Sequence, residues 1–307
     1  MTKVFIDGSA GTTGLRIRER LADRKDLELI ILPEETRKDP SARADALNSA
    51  AVSFLCLPDA AAVEAASFVT NPEAVIIDTS TAHRVSEGWV YGMPELAGQR
   101  EKLKTARRIA NPGCHATGFI SLVAPLVSAG LIRKDARLSC FSLTGYSGGG
   151  KKMIAEYESP DRDPLYQAPR QYGLGQAHKH LPEMSKLCGL DHAPVFCPVV
   201  APYYAGMEVT VPLTPAETSA TPDEILEAYR AYYRDGLIRV AGEAGENGFL
   251  SAGAFAGRDD LEVSVFGNGE RILLVSRFDN LGKGASGAAI QNMNVALGLD
   301  ETTGLVV

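Results

Sequence analysis

Asn111-Pro112-Gly113-Cys114 places a cysteine directly after a tight turn. The residues that follow, Ala116 to Val127, form an apolar run with helical spacing. Cys114 is therefore expected at the N-terminus of a helix. Unpaired backbone N–H groups and the positive end of the helix dipole meet there and favour an anion. A thiolate is an anion, so this position should lower the thiol pKa and create a nucleophile. The competing reading is a small buried cysteine at the start of a core helix. His178-Lys179-His180 offers imidazoles that act as acid or base near neutral pH, and Lys179 adds a charge that attracts an anionic substrate. His115 is the weaker base, because side chains of adjacent residues diverge. A zinc set of His178, His180, Cys188 and His192 fits no standard spacing.

Two further constellations could bind or react. Gly145-Tyr146-Ser147-Gly148-Gly149 matches the G-x-S-x-G nucleophile elbow, with Asp161 or Asp163 and then His178 or His180 downstream in hydrolase order. The same stretch continues through Gly150 to Lys151 and Lys152, which suits an anion-binding loop better, and no HGGG-type oxyanion segment accompanies it. Arg84 follows a predicted strand end at Asp78, where open α/β sheets bind ligands, and a guanidinium there can grip phosphate in two places.

Positioning these groups requires a scaffold, and the pattern supplies one. Lys3–Asp7 reads as a strand and Leu15–Leu21 as an amphipathic helix. Gly8-Ser9-Ala10-Gly11-Thr12-Thr13-Gly14 lies between them in a G-x-x-G-x-x-G spacing, which fits a dinucleotide pyrophosphate at a helix N-terminus. Apolar strands at Leu27–Leu32, Ala51–Leu57 and Ala74–Asp78 alternate with helical stretches near residues 44–48 and 60–69, the mark of a parallel sheet covered on both faces. After the Cys114 helix the texture changes. Leu138–Leu143, Pro194–Val200 and Met207–Val211 look extended, Glu224–Tyr233 helical, and Leu261–Phe266 with Arg271–Ser276 flank Gly267-Asn268-Gly269-Glu270 as a hairpin. The fold class expected is an α/β Rossmann-type dinucleotide-binding domain plus an α+β catalytic domain with a mainly antiparallel sheet. The small-residue-rich stretch Gly287–Leu297 is helical. Glu34-Glu35-Thr36-Arg37-Lys38, after the second strand, offers acidic and basic groups alike and leaves NAD against NADP open.

Composition narrows the classes. The chain has 307 residues, a net charge of −7 and 45% hydrophobic residues, which suits one large or two ordinary domains and argues against nucleic-acid or anionic-membrane partners. Five scattered cysteines read as reduced thiols, and the sequence has neither a signal-peptide pattern nor an apolar run of transmembrane length, so a cytoplasmic protein is expected.

The ordered series of these segments resembles the shorter form of N-acetyl-gamma-glutamyl-phosphate reductase over nearly the whole chain. The segments are Gly8–Gly14, Tyr91-Gly92-Met93-Pro94-Glu95-Leu96, Asn111–Cys114, Ser147–Gly150, His178–Glu183 and Asp279-Asn280-Leu281-Gly282-Lys283-Gly284-Ala285-Ser286-Gly287. Where the longer form reads S-A-D-F-R this chain has Ser80-Thr81-Ala82-His83-Arg84, and His115-Ala116 replaces an aromatic-Pro pair. The resemblance implies an NADP-binding domain over residues 1–113, completed by a C-terminal helix within 285–307, and a catalytic and oligomerisation domain over 114–284. It implies NADP(H) as cofactor, Cys114 as nucleophile, and His180 ahead of His178 as acid/base. Ser80 and Asn280 join the glycine loop as cofactor contacts. Arg84, Ser147, Gly148, Lys151 and His178 become substrate contacts. The partners implied are a small acyl phosphate and inorganic phosphate, within a homo-oligomer of the arginine pathway. A related reductase of aspartyl or aminoadipyl phosphate, a Ser147 hydrolase and a non-catalytic dinucleotide sensor are the alternatives.

Overall fold

In strand β1 (Thr2–Asp7), Val4 and Ile6 join one buried cluster and Phe5 joins another, so both faces of the strand are covered. The computed structural model, which describes residues 1–242 and 246–307, repeats this arrangement across a sheet. The chain continues through α1 (Thr12–Leu21), β2 (Leu27–Ile30), α2 (Pro40–Ser49), β3 (Val52–Leu55), α3 (Asp59–Ser67), β4 (Val75–Asp78), β5 (Val90–Tyr91), α4 (Gln99–Thr105) and β6 (Arg108–Ala110). The sheet order is β2-β1-β3-β4-β6-β5 and every pairing is parallel. Because the chain runs from β1 outward to β2 and then returns to β3, the order reverses beside the carboxyl end of β1, the usual ligand crevice of such sheets. The expected strand Leu27–Leu32 is paired only as far as Ile30; Ile31 and Leu32 line a cavity instead.

The second sheet has β7 (Ser139–Gly145), β8 (Arg170–Gln171), β9 (Val195–Ala201), β10 (Met207–Leu213), β11 (Ile238–Val240), β12 (Leu261–Gly267) and β13 (Ile272–Phe278), in the order β11-β12-β13-β10-β7-β9-β8. Four of its six pairings are antiparallel; β7–β9 and β11–β12 are parallel. Parallel neighbours need a long crossover. The segment between β7 and β9 supplies one, carrying α6 (Gly150–Glu158), β8 and α7 (Leu181–Cys188).

Helix α5 (Cys114–Ser128) packs on β10 and β13, on α7 and on α8 (Pro222–Tyr232). Every residue from His115 to Leu126 is buried. Pro125 lies within this helix, where it has no N–H for the Ser121 carbonyl. The Tyr233 hydroxyl donates to that carbonyl at 2.7 Å, and the Tyr229 hydroxyl donates to the Leu122 carbonyl at 2.6 Å. The Tyr233 phenol thus replaces the donor the proline removes, and burial pushes both phenols well above the usual range.

The chain then returns through a π-helical turn (Gly282–Ser286) to α9 (Gly287–Ala296). This last helix packs on α1, α4 and β4, adding Ala289, Ile290, Met293 and Val295 to the cluster that holds Val4 and Ile6. Residues 1–94, 98–112 and 285–306 form one compact unit; residues 95–97, 113–284 and Val307 form the other. Among the described residues no helix is long and apolar enough to cross a membrane.

Candidate active site

The glycine-rich loop Gly8–Gly14 joins β1 to α1. Gly8 has a φ of +84°, and a Cβ there would run into the Cys56 carbonyl at the end of β3, so the turn requires glycine. Gly11 caps α1, with Leu15 N–H donating to its carbonyl at 2.8 Å, and Gly14 lies buried in the helix. No side chain caps α1 and its first turn holds no acid, which leaves its N-terminus suited to an anion. Among the described residues Thr12 Oγ1 is buried there without a hydrogen-bond partner, as expected of a group that would meet a phosphate oxygen. Ser9, Ala10 and Thr13 complete the loop.

Beside the loop lies a cavity of about 260 Å³. Its apolar wall includes Phe5, Leu29, Leu32 and Leu57, and its rim carries Arg18, Arg37, Lys38 and Arg43. The Arg43 side chain is buried and held by Asp7 at 2.9 Å and Glu64 at 3.1 Å. Burial raises the Asp7 carboxyl despite Arg43. Glu34 is bonded to Arg37 and, like Glu35, lies outside the lining. The basic half of the Glu34–Lys38 segment therefore faces the cavity. An apolar slot with a cationic rim fits an adenosine carrying an extra phosphate.

At the end of β4, Asp78 organises the next loop. Its carboxylate accepts the Ser80 N–H at 2.9 Å and the Ser80 hydroxyl at 2.8 Å, and lies 2.6 Å from His83 Nδ1. The His83 ring stacks on Trp89 at 3.9 Å. Arg84 Nε donates to the Asn111 carbonyl at 3.0 Å and Nη2 to the Thr79 carbonyl at 3.2 Å, fixing the guanidinium.

Cys114 is the first residue of α5, after an extended Gly113 cap with no side-chain cap and no acid in the first turn. The dipole end and the amides of the first turn favour its thiolate. Glu183, fully buried on α7, accepts the Gly113 N–H at 3.2 Å through Oε2, while its Oε1 is 3.9 Å from His180 Nε2. One carboxylate therefore bonds the helix cap of the cysteine and stands beside an imidazole. His178 Nδ1 accepts the His180 N–H at 3.2 Å, and the two rings meet edge to face at 4.7 Å. His115 lies 5.5 Å from the His180 ring and 5.6 Å from that of His178. Glu183 lies one helical turn after His180, and that i, i+3 spacing was the available signal for its role.

The other expected residues have different settings. Ser147 is 1% exposed, and its hydroxyl accepts from Asn280 Nδ2 at 3.0 Å. Asn280 Oδ1 accepts the Gly206 N–H at 2.9 Å, so this amide clips two loops together. Asp163 accepts from the Leu165 N–H at 2.8 Å on an exposed loop. A Ser–Asp–His relay is not assembled at Ser147. Gly148 lies next to Asn280, whereas Lys151 and Lys152 are exposed on α6. Among the described residues no group of three His, Cys, Asp or Glu side chains could hold a metal ion.

Two of the motif segments meet below the nucleophile. Lys283 Nζ lies 2.6 Å from Glu95 Oε1, both side chains almost fully buried, and Glu95 also accepts the Leu237 N–H at 3.3 Å. Asp279 accepts N–H groups of Leu281 at 2.7 Å and Gly257 at 2.6 Å, and its carbonyl accepts from Gly284 at 3.0 Å. A Cβ on Gly284 would stand 2.9 Å from Cys114 Cβ. The Gly284→Ala variant is therefore expected to displace the cysteine and lower kcat at least tenfold, on the scale of about a 1 Å misplacement. Steady-state kinetics beside an unchanged circular dichroism spectrum check this.

Comparisons with known proteins agree with this architecture. Residues 3–106 match the NAD-binding domain of semialdehyde dehydrogenases, and residues 114–280 match their dimerisation domain. Aspartate semialdehyde dehydrogenase II from Vibrio cholerae has a similar fold, with a TM-score of 0.73 at 17% identity over 97% of this chain and 98% of that one. Fold and site define an oxidoreductase of the semialdehyde dehydrogenase class. The chain is 45% identical to the N-acetyl-gamma-glutamyl-phosphate reductase of Burkholderia ambifaria over 96% of each chain. It is 44% identical to N-acetyl-gamma-glutamyl-phosphate reductase 2 of a Nostoc species over 99% of each. It belongs to the N-acetyl-gamma-glutamyl-phosphate reductase family.

Proposed function

We propose that the protein reduces N-acetyl-L-glutamyl 5-phosphate to N-acetyl-L-glutamate 5-semialdehyde with NADPH, a step of arginine biosynthesis. The observation that carries this reading is Cys114 at the start of a buried helix with no side-chain cap, whose cap residue Gly113 bonds Glu183 beside His180. The Cys114 thiolate attacks the acyl carbon, the bond to the phosphate oxygen breaks, and a thioester forms as inorganic phosphate leaves. Amides of the first turn of α5 face negative charge developing on the carbonyl oxygen. The Gly8–Gly14 loop, with the Arg37–Lys38 rim around the extra phosphate, would hold NADPH, which when bound would supply the hydride for the two-electron reduction of that acyl carbon. The tetrahedral thiohemiacetal then collapses to the aldehyde, and the thiolate is released. His180, oriented by Glu183, handles the proton on the oxygen. Arg84 is the substrate-phosphate contact, and its two backbone bonds hold it ready without further ordering. Ser80 supports the cofactor site through Asp78. The assembly is a homo-oligomer formed through the second unit, and the free thiol chemistry suits a reducing cytoplasm.

The test runs the reaction backwards, as phosphate-dependent reduction of NADP⁺ by N-acetylglutamate semialdehyde. Turnover with the N-acetylated aldehyde and little with aspartate semialdehyde is expected. The reverse preference would move the assignment to aspartyl phosphate.

Cofactor choice gives a separate prediction. Arg37→Gln with Lys38→Gln should weaken NADPH binding by about ten- to a hundredfold and leave NADH binding within about twofold, since only the former carries the phosphate. Fluorescence titration measures both, and equal losses would place the two residues outside the phosphate contact.

A further inference from the structure

The Lys283–Glu95 pair takes no part in the steps above, yet it stands one residue away from the backbone that touches Cys114. Lys283 Nζ donates to Glu95 Oε1 at 2.6 Å, and the two side chains are 2% and 0% exposed. Taking two charges out of water is costly, and well-packed apolar side chains would fill the same space as firmly. What apolar side chains would not supply is direction. A charge-assisted hydrogen bond fixes the ammonium at one point, and with it the backbone that carries it.

The Glu95 end of the bond is anchored. Among the described residues before 113, Glu95–Ala97 alone belong to the second unit. Glu95 Oε1 also accepts the Leu237 N–H at 3.3 Å, and the Ala97 N–H donates to the Tyr232 hydroxyl at 2.9 Å. The Lys283 end lies in the π-helical turn Gly282–Ser286, a form found mostly as single turns and frequently at functional sites. On one side of Lys283, Gly282 packs so closely that a Cβ there would run into the Arg258 carbonyl. On the other side, the Gly284 N–H donates to the Asp279 carbonyl at 3.0 Å. The Gly284 backbone lies against the cysteine, where a Cβ would stand 2.9 Å from Cys114 Cβ. Neither glycine has a side chain with which to hold the turn, so the arm of Lys283 is the tether of Gly282–Gly284.

We propose that Lys283 and Glu95 are positioning residues for the nucleophile: their bond holds Gly284 against the Cys114 side chain and keeps the sulfur at the first turn of α5. This rests on the reading of Cys114 as the nucleophile. Backbone, rather than a side chain with rotamers of its own, then forms the stop against the cysteine. The sulfur is thereby placed to the sub-ångström tolerance that attack on a bound carbonyl requires.

The test uses the full-length variant in which both charges are removed, Lys283→Met with Glu95→Leu, so that no charge is left buried alone. In the phosphate-dependent reaction it is expected to lose about tenfold in kcat, with the KM for the semialdehyde within about twofold of wild type. Alkylation of Cys114 by iodoacetamide against pH, resolved from the other four cysteines by mass spectrometry, is the second readout. Its midpoint should rise by about half a pH unit, because a sulfur that leaves its place loses part of the favour of the helix terminus. A wild-type kcat overturns the positioning role. So does a lowered kcat with an unmoved midpoint, or a raised KM at unchanged kcat. If the double variant fails to fold, Glu95→Asp decides: it keeps both charges and withdraws the carboxylate by one methylene. It is expected to move kcat and midpoint the same way by smaller amounts, and wild-type values of both overturn the role. Turnover surviving in Cys114→Ser would sink the nucleophile reading, while the alkylation midpoint would still report where the sulfur sits.

Discussion

Replacing Cys114 by serine is expected to lower kcat by at least about 10⁴-fold, with NADPH affinity and melting temperature near the wild-type values. Serine matches the cysteine in size, so the packing against Gly284 is kept. The chemistry is not kept. A helix terminus can favour a thiolate at neutral pH, but a serine hydroxyl lies far above its reach. In the proposed mechanism His180 serves the substrate oxygen, so it offers no substitute activation of the serine. Cofactor affinity should persist because the glycine loop, the α1 terminus and the basic rim all belong to the first unit. The measurement is single-turnover reduction with tight-binding controls for NADPH. A Cys114→Ser protein retaining a tenth of wild-type kcat would end the thioester mechanism.

The largest stability effect should come from Lys283. Lys283→Met leaves the Glu95 carboxylate buried beside the Leu237 amide without its cation. Breaking one partner of a buried pair costs about 3–5 kcal/mol, which corresponds to a melting temperature lower by roughly 10 °C for a unit of this size. The double variant Lys283→Met with Glu95→Leu should recover most of that loss, because it removes both desolvated charges. Calorimetry on the three variants decides. A single variant within 2 °C of wild type would show that water reaches Glu95 and that the pair is not a structural bolt.

The contrast between these residues explains what the sequence could and could not tell. Gly8–Gly14 and Cys114 sit at junctions between regular elements, and local pattern alone marks them: a strand, glycines and a helix in one case, a turn and an apolar helix in the other. The hairpin of β12 and β13 was legible for the same reason. Lys283 and Glu95 lie 188 residues apart in two separate motif segments, so their pairing has no local signature. The hydrogen bond between His115 and Tyr172 is similar, since nothing near either residue in the chain announces the other. His115 itself was set aside as a base because adjacent side chains diverge. They do diverge here, and the divergence sends its ring to Ser142 and Tyr172. The parallel β7–β9 pairing depends on the long crossover, which the strand patterns do not encode. Lys151 follows glycines in sequence, yet the first turn of α6 carries it into solvent.

The helix α9 has a consequence for how the protein is made. Its residues Ala289, Ile290, Met293 and Val295 complete the core that begins with Val4 and Ile6. A nascent chain emerges N-terminus first, so the strands of that sheet wait on the ribosome with one face covered only in part, by α1 and α4, until residues beyond 285 appear. The intervening unit, continuous from 113 to 284, has its last strand by Phe278, shortly before α9 begins at Gly287. The order of assembly during synthesis should thus invert the order of sequence, with the middle of the chain folding first and its beginning last. During that wait part of the apolar face of β1, β3 and β4 is open to other chains, which makes the first unit the place where chaperones should bind and aggregation should start.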